Sequence, residues 1–458
     1  MVVSQPLWNP ELIAKYNING PRYTSYPTAL SLHEDFQAEQ ALTSLNRHQG
    51  ELSLYIHIPY CAQLCYYCGC NKIVTRHQHK GDDYITRLAL EMTHYTGPAA
   101  DNRVTSIHLG GGTPTFLNEA QLKRLVGLVR THFSVTEECE MSIEIDPRRC
   151  SLNKLACLRS LGFNRVSYGV QDFDEEVQQT INRIQSYEMV SRLVEHSRFL
   201  GFESINLDLV YGLPHQTPQR FKKSLDAVLK LNPDRISLFS YAHLPERFAA
   251  QRKIPEWALP DPATKLSLLQ LGIETFTQAG YQFIGMDHFA KPHDELAIAQ
   301  REGRLQRNFQ GYTTHGQDAM LGLGASSISQ IDGVMWQNAK EVRAYGEALE
   351  QNQLPVEKGY LPSRDDRIRA ALISQLICHF QIDTQAFAQS WQLGDFWDYF
   401  AEAKSKLAPF IEDQLVVIDG QRIQVAESGR LWVRSICACF DAYLSATQTQ
   451  TVRYSKVV

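Results

Sequence analysis

The chain has 458 residues, of which 43% are apolar and 21% charged, with a formal net charge of -5. That is a globular balance, long enough for one large domain with appendages or for two or three domains. The mild acidity argues against a general nucleic-acid binder, no apolar run reaches the ~18 residues of a membrane span, and MVVSQPLWNPELIAKYN lacks the order of a secretory signal, so a cytoplasmic location is expected.

Residues 1–48 stand apart as an N-terminal arm. Within them GPRYTSYPT (20–28) reads as extended or turn-rich. Short β-type runs then follow: LSLYIHIP (52–59), SIHLGG (106–111), MSIEID (141–146), RVSYGVQ (165–171), INLDLVYG (205–212) and RISLFSY (235–241). Stretches of helical period such as YITRLALEMTHY and EAQLKRLVGLVRTHF separate them. Alternation of this kind implies parallel strands with right-handed crossovers. Six units do not fill an eight-fold barrel, so the fold class is α/β, an incomplete (β/α)6 barrel over 49–310. After about residue 310 the alternation stops. From 364 onward the pattern is three helices, then LVVIDGQRIQV (415–425) with a hairpin signal at Asp419-Gly420, then another helix. Residues 311–458 are therefore expected to hold a cleft-lining segment and a mostly helical, winged-helix-like C-terminal domain. It has no basic recognition helix, which favours a structural or lid role over DNA binding.

In a reducing compartment the ten cysteines are expected as thiols, ligands or catalytic groups. Four stand in CAQLCYYCGCN (61–71), directly after the first β-type run. Cys61, Cys65 and Cys68 have the spacing C-x3-C-x2-C. Three thiolates on one loop can hold three irons of a cubane cluster and leave the fourth open to a small molecule. Structural zinc is the alternative, but it wants four ligands, and Cys68-x-Cys70 is too tight to close a comfortable tetrahedron. Cys70 is then a small residue beside the substrate, or a hydrogen-atom or redox participant. The other six cysteines read as packing residues, Cys437 and Cys439 included.

Barrel sites gather at the C-terminal ends of strands. That selects the triplet Gly110, Gly111 and Gly112, which either admits a ligand to the backbone or simply makes a tight turn. It also selects Glu144, Gln171, Asp208 and Ala242. Asp208, between Leu207 and Leu209, needs a partner if buried, which a bound cation or Arg183 could supply. Tyr55 reads equally as a core tyrosine, and His57 and His288 as satisfied core histidines.

The motif C-x3-C-x-aromatic-C after a strand resembles that of the radical S-adenosylmethionine (radical SAM) enzymes. HIPYCAQLCYYCGCNK, HLGGGTPTFL, EIDPR, NRVSYGVQDF, INLDLVYGLP and GYQFIGMDHFA, with GPRYTSYPTA, QGYTTHG and LGLGASSIS, resemble the oxygen-independent coproporphyrinogen III oxidases over nearly the whole chain. The resemblance implies a [4Fe–4S] cluster on Cys61, Cys65 and Cys68 that binds S-adenosylmethionine (SAM) and yields a 5′-deoxyadenosyl radical. It implies oxidative decarboxylation of two propionates of coproporphyrinogen III to vinyl groups, giving protoporphyrinogen IX in heme biosynthesis. By the same resemblance Tyr55, Gly111, Glu144 and Ile328 contact the cluster-bound SAM. Tyr67, Gly112, Thr113, Gln171, Arg183, Asp208 and Ala242 contact a second SAM. Tyr55, Cys70, Arg22 and Tyr23 are the candidates for contact with the reacting substrate.

A substrate with four propionates wants guanidinium forks. Arg22, Arg301, Arg304 and Arg307 are candidates, the last three reading equally as a solvated basic face. A reductant such as a flavodoxin-type donor, an unidentified electron acceptor and a monomeric state are expected, with no nucleic acid or membrane partner. Two rivals stay open: a heme-binding chaperone of the same fold, and a zinc-stabilised α/β protein without redox chemistry.

Overall fold

The structure is a computed structural model that describes residues 9–17, 19–315 and 319–444; Gly316 of the QGYTTHG motif lies outside them. The strands of its main sheet, numbered along the chain, are β1 Glu51–Ile58, β2 Arg103–Gly111, β3 Ser134–Ile145, β4 Arg165–Gln171, β5 Ser204–Tyr211, β6 Arg235–Ser240, β7 Gln282–Gly285, β8 His288–Ala290, β9 Ala319–Leu323, β10 Ile328–Ile331, β11 Val334–Asn338 and β12 Val356–Tyr360. Their order is β12-β11-β10-β9-β1-β2-β3-β4-β5-β6-β8-β7. β1 to β6 are neighbours in chain order and parallel, as the alternation predicts. The two edges, β12 and β7, do not pair, so the sheet is an incomplete barrel.

The six β-type runs owe their apolar look to alternate residues. Leu52, Leu54, Ile56 and Ile58 of β1 and Leu207 and Leu209 of β5 are fully buried in the main core. The residues between them face one another across the sheet. The Tyr55 ring stacks on His108 at 6.0 Å, Ser167 Oγ donates to Asp208 Oδ2 at 2.8 Å, and Ser237 Oγ donates to Asn206 Oδ1 at 3.2 Å. One face of the sheet is thus oily, and the other carries a polar interior. At the strand starts, Arg165 pairs with Glu140 at 2.7 Å and Arg235 with Asp294 at 2.9 Å, an ion-pair network at the end away from the cysteine loop.

The sheet crosses the boundary expected at residue 310. β9 joins β1 in parallel, and β10 to β12 continue antiparallel. These strands lack the helical crossovers that made β1 to β6 readable, because antiparallel neighbours need only tight turns. The turn after β9 is fixed from a distance. Glu91, fully buried in the helix His79–Thr96, accepts from Gly324 N at 2.8 Å, Asn338 Nδ2 at 2.5 Å and Tyr345 Oη at 2.6 Å. Removing a buried acceptor leaves its donors unpaired. Glu91→Leu is expected to destabilise the protein by about 3 kcal/mol, and Glu91→Gln by less, measured as chemical unfolding midpoints.

The C-terminal unit has helices Arg364–His379, Thr384–Trp391 and Ala401–Glu412. Its small sheet places Arg422–Val425 between Gln381–Asp383 and Val416–Asp419, with Gly420 at φ +56 in the hairpin, as the Asp-Gly signal predicts. The N-terminal segment is less extended than expected, with helices at Pro10–Tyr16 and Ala38–Arg47 around the irregular GPRYTSYPT stretch. It is pinned to the C-terminal unit: Tyr16 stacks on Phe410 at 4.3 Å, and Tyr23 Oη donates to Asp441 Oδ2 at 3.0 Å. Arg434 donates to the carbonyls of Gly20 and Pro21. No helix among the described residues is long and apolar enough to cross a membrane.

Candidate active site

Beyond the C-terminal ends of the parallel strands lies a cavity of about 390 Å³. Cys61, Cys65, Cys68, Cys70, Tyr67, Gly111, Gly112, Thr113, Glu144, Gln171, Arg183, Asp208 and Ala242 all line it. One short strand pair, Tyr60–Cys61 with Ile73–Val74, closes the base of the cysteine loop. Tyr66 N donates to Ile181 O at 2.9 Å, Asn182 Nδ2 to Leu64 O at 2.7 Å and Gln251 Nε2 to Tyr67 O at 2.9 Å, which tie the loop to distant elements.

The thiols are held among donors. Thr113 Oγ1 donates to Cys61 Sγ at 3.4 Å, Arg148 Nη2 and Arg183 Nη1 to Cys65 Sγ at 3.2 and 3.4 Å, and Cys70 N to Cys68 Sγ at 3.4 Å. The Cys70 thiol, with Lys72 alongside, brings Cys68 down to about 6, while the same contact pushes Cys70 well up. Cys68 is therefore biased to the thiolate that metal ligation requires.

The spacing of the sulfurs tests what they can hold. One tetrahedral zinc ion brings its sulfurs within about 4 Å of each other, given Zn–S bonds of about 2.3 Å. Among the described residues, the one group of three or more Cys, His, Asp or Glu side chains with ligand atoms all within 4.8 Å of one another is Glu140, Glu295 and His315. At least one pair of the three cysteine sulfurs therefore lies more than 4.8 Å apart, wider than one tetrahedral ion brings its ligands and in keeping with a cluster of several metal atoms.

The glycines are there for close approach. Gly111 has φ +109, and a Cβ on it would lie 2.5 Å from the His57 ring; one on Gly112 would lie 2.9 Å from Ile58 O. Their N–H groups are already engaged, Gly111 N with Glu144 Oε2 at 3.2 Å and Gly112 N with Ile58 O at 2.8 Å. These two glycines thus make room and do not offer free amides. Glu144 also meets His108 Nε2 at 3.4 Å. His57 is satisfied on both nitrogens, by Tyr55 Oη and Asn71 O, each at 3.1 Å.

Asp208 and Arg183 are not partners. Asp208 accepts from Ser167 Oγ and, at 2.7 Å, from Asn206 Nδ2; burial raises it to about 6, with Glu144 adding to the effect. Arg183 instead meets Asp146 at 3.5 Å and the Gly169 carbonyl at 2.5 Å. Asp146 is also held by Arg148 at 2.6 Å. Asp146 and Arg148 were missed as site residues although the sequence reading quoted their motif, EIDPR; two arginines around one carboxylate beside a cysteine sulfur is a tertiary fact. Lys72, Phe248 and Gln251 also line the cavity unforeseen.

Four expected site residues lie outside this lining. Tyr55 stacks on His108, which in turn meets the lining residue Glu144. Ile328 begins β10. Arg22 is ion-paired with Asp287, and Tyr23 lines a second cavity of about 860 Å³.

Comparisons with known proteins agree with this geometry. The profile of the Radical SAM superfamily matches residues 55–228, and that of the HemN C-terminal domain residues 363–432. Oxygen-independent coproporphyrinogen III oxidase of Escherichia coli is 51% identical over 459 residues, covering 100% of both chains. The protein of that name from Pseudomonas aeruginosa is 47% identical, over 98% of this chain and 99% of that one. A solved structure, described as coproporphyrinogen III oxidase (HemN) from Escherichia coli, a radical SAM enzyme, superposes with a TM-score of 0.92 at 51% identity, over 95% of this chain and 99% of that one.

Proposed function

The chain belongs to the radical SAM superfamily and, within it, to the oxygen-independent coproporphyrinogen III oxidases, and from that premise we propose how its own residues convert two propionates of coproporphyrinogen III to vinyl groups. The observation that carries the reading is the single cavity in which Cys61, Cys65 and Cys68 meet Glu144, Gln171, Arg183 and Asp208 at the strand ends. Cys61, Cys65 and Cys68 would hold a [4Fe–4S] cluster, which together with SAM would supply the one-electron radical chemistry of the reaction.

The protein's part is binding, orientation and charge. Thr113, Arg148 and Arg183 donate to the ligand sulfurs and so disperse negative charge on them. Glu144, fixed by Gly111 N, offers a carboxylate oxygen to the SAM ammonium. Tyr55, set by its stack on His108, and Ile328 flank that cofactor. Tyr67, Gly112, Thr113, Gln171, Arg183, Asp208 and Ala242 receive a second SAM. Arg22 and Tyr23 of the arm, with Cys70 on the loop, face the substrate. Loss of a hydrogen atom from each propionate β-carbon, then of carbon dioxide and one electron, leaves the vinyl group. A flavodoxin-type donor and a separate electron acceptor complete the balance. A cytoplasmic compartment suits ligands that must stay thiolates. The arm and the C-terminal unit, pinned together, cover the reaction and exclude water.

The test is anaerobic turnover. Reduced, cluster-loaded protein given SAM and coproporphyrinogen III should release two molecules of carbon dioxide per porphyrinogen; stable heme binding without carbon dioxide would favour the chaperone.

Asp208 adds a pH signature. Its raised pKa, about 6, keeps it ionised and able to accept from SAM above that value and protonated below. SAM affinity measured by calorimetry should therefore fall as pH drops from 7 to 5, by up to about tenfold. Asp208→Asn should flatten this dependence.

A further inference from the structure

The sequence leaves Arg301, Arg304 and Arg307 together as candidates for binding carboxylates, and the structure separates them. Arg301 is exposed and donates to Gln282 Oε1 and Pro292 O, at 3.2 and 2.8 Å. Arg304 is exposed and paired with Glu302. Arg307 is different. It sits in the ribbon Gln306–Asn308/Gly311–Thr313 with its guanidinium over the Tyr312 ring at 5.4 Å. Its Nε and Nη1 are buried and find no acceptor among the described residues.

His288 belongs to the same cluster. Its ring meets Tyr312 edge-on at 5.4 Å, and its Nδ1 is also buried without a partner among the described residues. The neighbouring cations are already engaged: Arg22 is paired with Asp287, and Arg434 donates to the carbonyls of Gly20 and Pro21. Burial pulls the Arg307 guanidinium below its ordinary value, as expected of a cation desolvated without an anion. Three buried nitrogens lacking acceptors among the described residues, two of them on a guanidinium without a carboxylate, mark a place built for an anion.

Position says which anion. On its other side His288 meets Phe239 at 6.0 Å, and Phe239 lines the cavity of the cysteine loop. Arg307 lines the second cavity with Tyr23 and Tyr26, and the two cavities share no lining residue. A tetrapyrrole whose reacting chain lies beside SAM carries its other propionates away from the cysteine loop, toward this side. Resting on the function proposed above, we propose that Arg307 and His288 form a carboxylate site that holds one of the two propionates the reaction leaves intact. His288 is held neutral by burial and by Arg307 and Arg22, and a neutral imidazole bearing its proton on Nδ1 donates one hydrogen bond.

The test uses cluster-loaded protein titrated with two fluorescent porphyrins. Coproporphyrin III carries all four propionates, and protoporphyrin IX only the retained pair. Arg307→Gln should weaken both, by the same factor of roughly 10 to 100, the range for losing a hydrogen-bonded charge. Arg307→Lys should recover part of that loss, which a collapsed fold would not, and the exposed Arg301→Gln, at a residue that lines neither cavity, should bind both as the unmodified protein does. Iron content and melting temperature are measured for each variant. Weakened coproporphyrin with unchanged protoporphyrin would place Arg307 on a reacting chain and overturn the proposal, as would unchanged affinity for both. Carbon dioxide release by the unmodified enzyme is followed in parallel: its absence overturns the function, whereas intact release with porphyrin affinity unmoved by Arg307→Gln overturns the carboxylate site alone.

Discussion

Replacing Cys61, Cys65 or Cys68 with Ala is expected to leave protein that folds but assembles no stable cluster and has no measurable turnover. Cys70→Ala should assemble a full one. The four thiols share one cavity and ten positions of chain, so proximity does not separate them. Their surroundings do. Cys61 and Cys65 are buried and receive Thr113, Arg148 and Arg183, and Cys68 receives the Cys70 amide and is held toward the thiolate. Cys70 is open to the cavity, and its neighbour pushes it toward the neutral thiol, the poorer ligand. A fold this large does not depend on its metal as a zinc finger does, so the Ala variants should melt within a few degrees of the cluster-free parent. Iron and sulfide analysis with the visible spectrum under nitrogen reads the outcome directly. A full iron load in any of the first three variants would contradict the ligand set.

Gly111→Ala is expected to lower turnover by about 100-fold while the iron content holds. Two effects coincide at this position. Its φ of +109 is unfavourable for any residue with a Cβ, and that Cβ would lie 2.5 Å from the His57 ring. His57 cannot yield freely, because its nitrogens bridge Tyr55 Oη and Asn71 O. Moving it shifts Tyr55 on one side and the CGCN segment on the other, and the Gly111 amide that fixes Glu144 moves too. A displacement of about 1 Å where two cofactor contacts are set is enough for a loss of that size. SAM binding and iron content, measured beside kcat, separate misplacement from failure to assemble. Unchanged kcat would mean that His57 and Tyr55 do not position the reacting groups.

The places where the sequence reading stopped share a cause. It could not choose between a turn and a ligand contact for Gly110 to Gly112, since both demand glycine; the positive φ and the distances to His57 and Ile58 O give each its reason. It offered Arg183 to Asp208 because a buried carboxylate needs a partner, whereas Asp208 is served by Ser167 and Asn206 and Arg183 by Asp146. It grouped Arg301, Arg304 and Arg307 by adjacency, and only one of them is buried against a ring. It lost the sheet at residue 310, where helical crossovers give way to antiparallel turns.

What the sequence determined alone is what neighbours along the chain can fix: three cysteines on a loop too short to disperse them, six β-type runs whose alternation with helical stretches implies parallel strands, and a hairpin that Asp-Gly dictates. The tertiary structure decided how far apart the sulfurs stand, which carboxylate each arginine meets and which cations stay without one. Those depend on segments hundreds of residues apart, such as Tyr23 with Asp441 and Gly324 with Glu91. Burial sets the strength of a charge, and burial belongs to the packed assembly and not to any stretch of chain.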